Sequence, residues 1–271
     1  MRKVLFAGLL GALIISHGAG ASSASNNSPH MPQLGALKLV AQLPAELPQR
    51  VLGLAYDGQK LWVPIYQGSG RYATLDPSSL QWTIGDDRRA NIAIEQVSGS
   101  FGSPGAFCFA NGKLWVAGSY GDSFGSINPS DWTIEKMFKG KQRENKRASQ
   151  SYSSMAYDGT NLWIVWHWFR YDIPAAETQL LLKVDPSTGK VIDRFPAPAG
   201  SQPDGAHGLT WDGWRLWHAK DHTLTAIDPA NGRIIDRYTF DELNRPSGLA
   251  WDGHALWIVE FDGKIWRLPL D

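Results

Sequence analysis

GLTWDGWRLWHAKDHTLTAIDPANGR, from Gly208 to Arg233, contains in one run the unit from which most of the chain is built. A short apolar strand leads into an Asp-Gly turn. A second strand carrying Leu-Trp follows, then a third apolar run and an Asp-Pro turn. The first half recurs as GLAYDGQKLW (Gly53 to Trp62), AFCFANGKLW (Ala106 to Trp115), SMAYDGTNLW (Ser154 to Trp163) and GLAWDGHALW (Gly248 to Trp257). The third run closes at Asp76-Pro77, Asn128-Pro129, Asp185-Pro186 and Asp228-Pro229, and a fourth strand is clearest in GKVIDRF and GRIIDRY. Asn or Asp before Gly tolerates the positive φ of a tight hairpin, and Pro presets φ after Asp. Four antiparallel strands repeated at intervals of 40 to 54 residues predict an all-β chain folded as a single β-propeller. Five units are visible.

The ends of the repeat array predict how the ring closes. The fifth unit stops at Asp271 after three strands, whereas an orphan strand, LKLVAQLPA (Leu37 to Ala45), precedes the first unit. A propeller leaves open edges unless something joins its first and last blades. The N-terminal strand is therefore expected to complete the fifth blade, giving five blades of four strands over residues 36–271.

Upstream, Arg2 and Lys3, the apolar run Val4 to Ile15 and the small residues Ala19-Gly20-Ala21 read as a signal peptide over residues 1–21. About 12 apolar residues are too few to span a bilayer, so no transmembrane segment is expected after cleavage. Residues 22–35 read as a flexible leader, and a periplasmic or secreted location follows. Lysine and arginine together number 26, as do aspartate and glutamate. That balance gives no support to nucleic acid as a partner. The single cysteine, Cys108, lies in an apolar strand and reads as a small buried hydrophobe. Of the 13 tryptophans, those of the five Leu-Trp pairs supply apolar area for packing blade on blade.

Two stretches break the period: HWFRYDIPAAE, inserted between the second and third strands of the third blade, and KGKQRENKRASQ, between the second and third blades. Both belong to the face where blades are entered, and long loops on a rigid scaffold are where binding concentrates. Residues expected on that face include Tyr66, Tyr120, Trp166, Trp168, Arg170, Tyr171 and Lys220 as ligand-binding groups. The hairpin about Asp212-Gly213 sets His207 opposite Lys220 or Asp221, and the equivalent hairpin sets Ser153 near His167. Strand alternation turns His218 and His222 away from Asp221.

The run AHGLTWDGWRLWHAKD of the fourth blade resembles the repeats of the virginiamycin B lyase (streptogramin lyase) family, which read roughly P-H-G-I-x-x-D-G-x-x-x-W-F-x-x-E. The repeat grammar is also similar to that of NHL-type propellers. The lyase resemblance implies a magnesium-dependent site that opens a lactone ring by elimination. His207 and Asp221 keep that family's separation of fourteen residues. That family has seven blades, however, and Asp221 stands where it has Glu.

Two classes of function follow. As a binding module, the protein takes a small molecule, sugar or peptide on its aromatic face, with the basic loop favouring an anionic group. As an enzyme, it uses His207 as general base with His167 as a further catalytic imidazole. Asp221, Glu260 and Asp262 then hold a divalent cation, Mg2+ or Ca2+.

Overall fold

In the computed structural model, the described residues are 32–48, 50–65, 71–99, 104–118, 123–139, 148–170, 173–198 and 207–270, the side chains of 148–150 and 169–178 excepted. The expected signal peptide, most of the leader and the core of the basic loop lie outside them.

An N-terminal strand β1 (Lys38–Gln42) precedes the first blade. Blade one is β2 (Ala55–Tyr56), β3 (Leu61–Pro64), β4 (Tyr72–Leu75) and β5 (Trp82–Gly85), followed by a helix α1 (Arg88–Ser98). Blade two is β6 (Pro104–Ala110), β7 (Lys113–Gly118), β8 (Ser123–Ile127) and β9 (Ile134–Lys139). Blade three is β10 (Ala148–Tyr157), β11 (Leu162–Arg170), β12 (Ile173–Val184) and β13 (Val191–Pro196). Blade four is β14 (Gly208–Trp211), β15 (Leu216–Lys220), β16 (Thr223–Ile227) and β17 (Ile234–Thr239). The last unit supplies β18 (Pro246–Trp251), β19 (Ala255–Glu260) and β20 (Lys264–Pro269). β1 pairs antiparallel with β20, from Lys38 opposite Arg267 to Gln42 opposite Lys264, and so completes the fifth four-stranded sheet. The expected five-bladed ring, stapled by its N-terminal strand, is the observed one.

The repeat motif has a direct physical cause. In blades one, three, four and five the turn aspartate accepts the indole N–H of the Trp five residues on, at 2.7 Å for Asp57, 2.8 Å for Asp158, 2.7 Å for Asp212 and 2.7 Å for Asp252. Its other oxygen accepts two backbone N–H groups of the turn, as Asp158 does from Thr160 and Asn161. Burial raises the Asp158 pKa, but these three donors outweigh it and hold the carboxyl below its usual value. The following glycines take positive φ, 98° at Gly58 and 92° at Gly159. One carboxylate thus fixes both the turn and the rotamer of the Trp that fills the seam. Blade two has Ala110-Asn111 in place of Asp and lacks this clasp.

Trp163→Phe keeps the ring in its seam but removes the donor to Asp158. A loss of about 1–2 kcal/mol in denaturant unfolding is expected.

Five clusters of buried side chains fill the five seams; Trp163, Leu209 and Leu216, for instance, pack where blade three meets blade four. Cys108 is buried between blades two and three, and burial pushes its thiol pKa far up, so it stays protonated and inert.

Two features differ from the sequence expectation. The HWFRYDIPAAE insertion is an extension of the sheet: β11 runs to Arg170, β12 restarts at Ile173, and β10 starts early enough for Ala148 to pair with Arg170. Helix α1 is an addition. Asp87 caps it by accepting from Arg89 N–H, and Ala90, Ala93, Ile94 and Val97 form its buried stripe.

Candidate functional site

Strand register assembles the site. Gly208 pairs with Ala219 and Leu209 with His218, so the next step outward sets His207 opposite Lys220. Paired residues of an antiparallel ladder share a face, and alternate residues along each strand return to it. His207, Leu209, Leu216, His218 and Lys220 therefore face blade three together. From the other side, His167 shares a face of β11 with Trp163 and Val165, which line the same seam, and it pairs with Gln179 of β12.

The polar end of the seam is a chain of nitrogen groups. Nδ1 of His207 lies 2.8 Å from Nε2 of His218. Nζ of Lys220 lies 3.3 Å from Nε2 of His207 and 3.4 Å from Oε1 of Gln179. With Lys220 as an ammonium, which only donates, Nε2 of His207 accepts. Its Nδ1 then carries the proton and donates to His218, whose own proton sits on Nδ1. That Nδ1 has no hydrogen-bond partner among the described residues.

The chain is buried: His207 and His218 are at 0% exposure, His167 at 1% and Lys220 at 3%. Burial, and then the unfavourable interaction of a second positive charge with His218, Lys220 and His167, holds His207 well below its ordinary pKa. Burial, then Lys220 and Arg237, brings His218 to about 3, against a small opposing effect of Asp221. Both rings are neutral at pH 7.

Blade four is the exception among its neighbours. In blades three and five the entry position holds Ser153 and Ser247, whose hydroxyls donate to the strand-two carbonyls of Val165 at 3.3 Å and Val259 at 3.4 Å. In blade four the same position is His207, bonded to side chains. Ser153 lies at an irregularity of β10, and the residue paired with His167 is Ser151.

The other expected site residues are distributed elsewhere. Asp221 sits in the β15–β16 turn with φ 53°. Glu260, in blade five, is 1% exposed and accepts from the N–H groups of Asn244 and Arg245 and from the Trp266 indole. Asp262 binds Lys264 at 2.8 Å. Among the described residues no group of three or more His, Cys, Asp or Glu is placed to hold a metal ion. The expected set Asp221, Glu260 and Asp262 thus does not fit a divalent cation: it is split between two blades, and the Glu260 carboxylate organises the entry into blade five.

Trp166 packs against the seam between blades two and three, on the opposite face of β11 from His167, and Trp168 follows it by alternation. Tyr66, Tyr120 and Tyr171 lie outside the described residues, as does the Arg170 side chain. His218 is the site residue that sequence reasoning passed over; its signal was its parity with Lys220.

No protein-family model and no curated protein sequence matches the chain. Among solved structures, virginiamycin B lyase from Staphylococcus aureus superimposes with a TM-score of 0.52 at 13% identity, covering 88% of this chain and 100% of that one. The chain has a virginiamycin B lyase-like propeller fold. The extracellular domain of a hybrid two-component system from B. thetaiotaomicron aligns with a TM-score of 0.45 at 17% identity, over 84% of this chain and 28% of that one. In all, 942 solved chains match. The likeness to virginiamycin B lyase is accordingly one of fold.

Proposed function

We propose that the protein is a binding module that takes an anionic small molecule on its entry face, at the seam between blades three and four. The observation that carries this reading is the Lys220–His207–His218 chain, an ammonium buried against imidazoles in a locally positive field. Donors already held in place hydrogen-bond a carboxylate or phosphate at little reorganisation cost, and charge-assisted bonds are the strong ones. A cation or a neutral apolar group gains nothing there. The lyase reading asks His207 to accept a proton, but its Nε2 lone pair is already directed at Lys220 and its Nδ1 donates to His218. Binding therefore ranks above general-base catalysis at this residue.

Export belongs to the same proposal: cleavage near Ala21 delivers the propeller outside the cytoplasm. The sequence of the signal supports this, and among the described residues no helix is long and apolar enough to cross a membrane. N-terminal sequencing of the exported product checks it; an intact Met1 terminus would overturn it.

The binding test is calorimetric titration with acetate, succinate, inorganic phosphate and a sugar phosphate, alongside uncharged and cationic controls. Saturable binding confined to anions is expected. Lys220→Met, which keeps the aliphatic stem, weakens it about 10- to 100-fold, the equivalent of one charge-assisted hydrogen bond of about 1.5–3 kcal/mol. Equal affinity in the folded variant would remove Lys220 from the site.

A further inference from the structure

A second feature lies at the other end of the inner strands, where each runs into its Asp-Gly or Asn-Gly turn. The residue just before the turn Asp, or before Ala110-Asn111, is aromatic in all five blades: Tyr56, Phe109, Tyr157, Trp211 and Trp251. Each is half-buried and each packs against a different one of the five seam clusters. All five line one cavity of about 110 Å³ around the ring axis. A single water needs only about 10–15 Å³, so there is room for a head group of several heavy atoms.

The rings are held in place. The Tyr56 hydroxyl donates to the Gly58 carbonyl at 2.9 Å and that of Tyr157 to the Gly159 carbonyl at 2.7 Å, while Asn111 Nδ2 donates to Tyr157 at 3.0 Å. Directly behind them stands a collar of turn carboxylates, Asp57, Asp158, Asp212 and Asp252, one of which is offset by Arg215 at 2.8 Å from Asp212. Burial raises the Tyr56 hydroxyl pKa, and the charges of Asp252 and Asp57 raise it further, a sign that the field at the ring is negative. The five inner strands β2, β6, β10, β14 and β18 each end their sheet, so one backbone row of each faces the axis and contributes carbonyl oxygens.

Seam packing alone explains an apolar residue at this position; it does not explain an aromatic one in every blade beside a negative collar. Aromatic faces, carboxylates and carbonyls share one preference, for positive charge that is weakly hydrated. We propose that this axial mouth binds an organic ammonium ion, with its alkylated nitrogen among the five aromatic side chains. The site lies on the opposite face from Lys220 and is independent of the anion reading.

The test is titration of the mature chain with tetramethylammonium chloride, with sodium chloride as the control, followed by calorimetry and by the ring-proton resonances of Tyr56, Phe109, Tyr157, Trp211 and Trp251. Saturable heat is expected, with shifts confined to these rings and competition by choline. Trp251→Leu and Tyr157→Leu keep an apolar contact in the seam and weaken binding about tenfold each. The wild-type resonances decide the matter even where a variant fails to fold. Absence of saturable shifts in the five rings would overturn the proposal. So would saturable shifts of the five rings with methyl glucoside and no response to either ammonium, which would make the mouth a carbohydrate site.

Discussion

Between pH 6.5 and 4.5 the protein is expected to lose stability steeply. His207 and His218 are fully buried, and burial together with neighbouring positive charge depresses both pKa values, His218 to about 3. In the unfolded chain each returns to its ordinary value of 6.5. Below that pH the unfolded state binds more protons than the folded one. Stability from these residues is therefore complete above 6.5 and is lost as pH falls towards the folded values. Each histidine contributes a slope of about 1.4 kcal/mol per pH unit while it is neutral in the fold and charged in the unfolded chain. Asp76 and Asp185, with pKa values of about 2 set first by the hydroxyls of Ser78 and Ser187, also have depressed values. Their effect is lost only below the ordinary value of 3.8, outside this window. Denaturant unfolding at a series of pH values measures the slope. His207→Gln combined with His218→Leu flattens it; a wild-type stability constant from pH 7 to 5 would contradict the buried neutral pair.

The second large effect concerns closure. Inner strands of neighbouring blades approach so closely that a Cβ on Gly248 meets the Gly53 carbonyl carbon at 2.4 Å and the Leu54 nitrogen at 2.5 Å. Those atoms are backbone and cannot rotate away. They also belong to the junction where the fifth blade meets the first, beside the hydrogen bond from Gly53 N–H to the Ser247 carbonyl at 2.8 Å. Gly248→Ala is expected to cost about 3 kcal/mol, the upper part of the usual range for overpacking a tight site. Gly213→Ala is the contrast: a Cβ there meets nothing within 4 Å, and its cost is confined to the φ of 100°. Thermal unfolding of both variants separates steric from backbone effects. A Gly248→Ala variant as stable as the wild type would mean that the inner strands have room to separate.

Most of the architecture was legible because it rests on local chemistry repeated from blade to blade. The Asp-Gly turn, the Leu-Trp strand and the Asp-Pro turn each dictate a backbone shape, and the orphan strand Leu37 to Ala45 had one empty edge to fill. Helix α1 was missed because its buried stripe from Ala90 to Val97 is short and falls outside the repeat that announces the strands. The third-blade insertion reads as a loop through Asp172 and Pro174, yet His167 to Arg170 extend β11 because β10 and β12 lengthen with it.

At the site, residue spacing and strand parity gave different partners for His207. A separation of fourteen residues pointed to Asp221, whereas the register from the turn points to Lys220, and geometry follows the register. The same parity brings in His218, which had been set aside as facing away from Asp221. The aromatic position before each turn read simply as the end of an apolar strand, because its convergence on one axis exists only in the closed ring.

His207, His218 and Lys220 form one buried, preorganised hydrogen-bonded chain. Histidine-labelled protein, followed by ring 15N NMR from pH 8 to 4 with and without inorganic phosphate, tests it most directly. The expected result is a neutral His207 with its proton on Nδ1, a neutral His218, no titration of either ring near 6.5, and a response of both to phosphate. Two rings that titrate near 6.5 as free histidines do, and ignore phosphate, would contradict it.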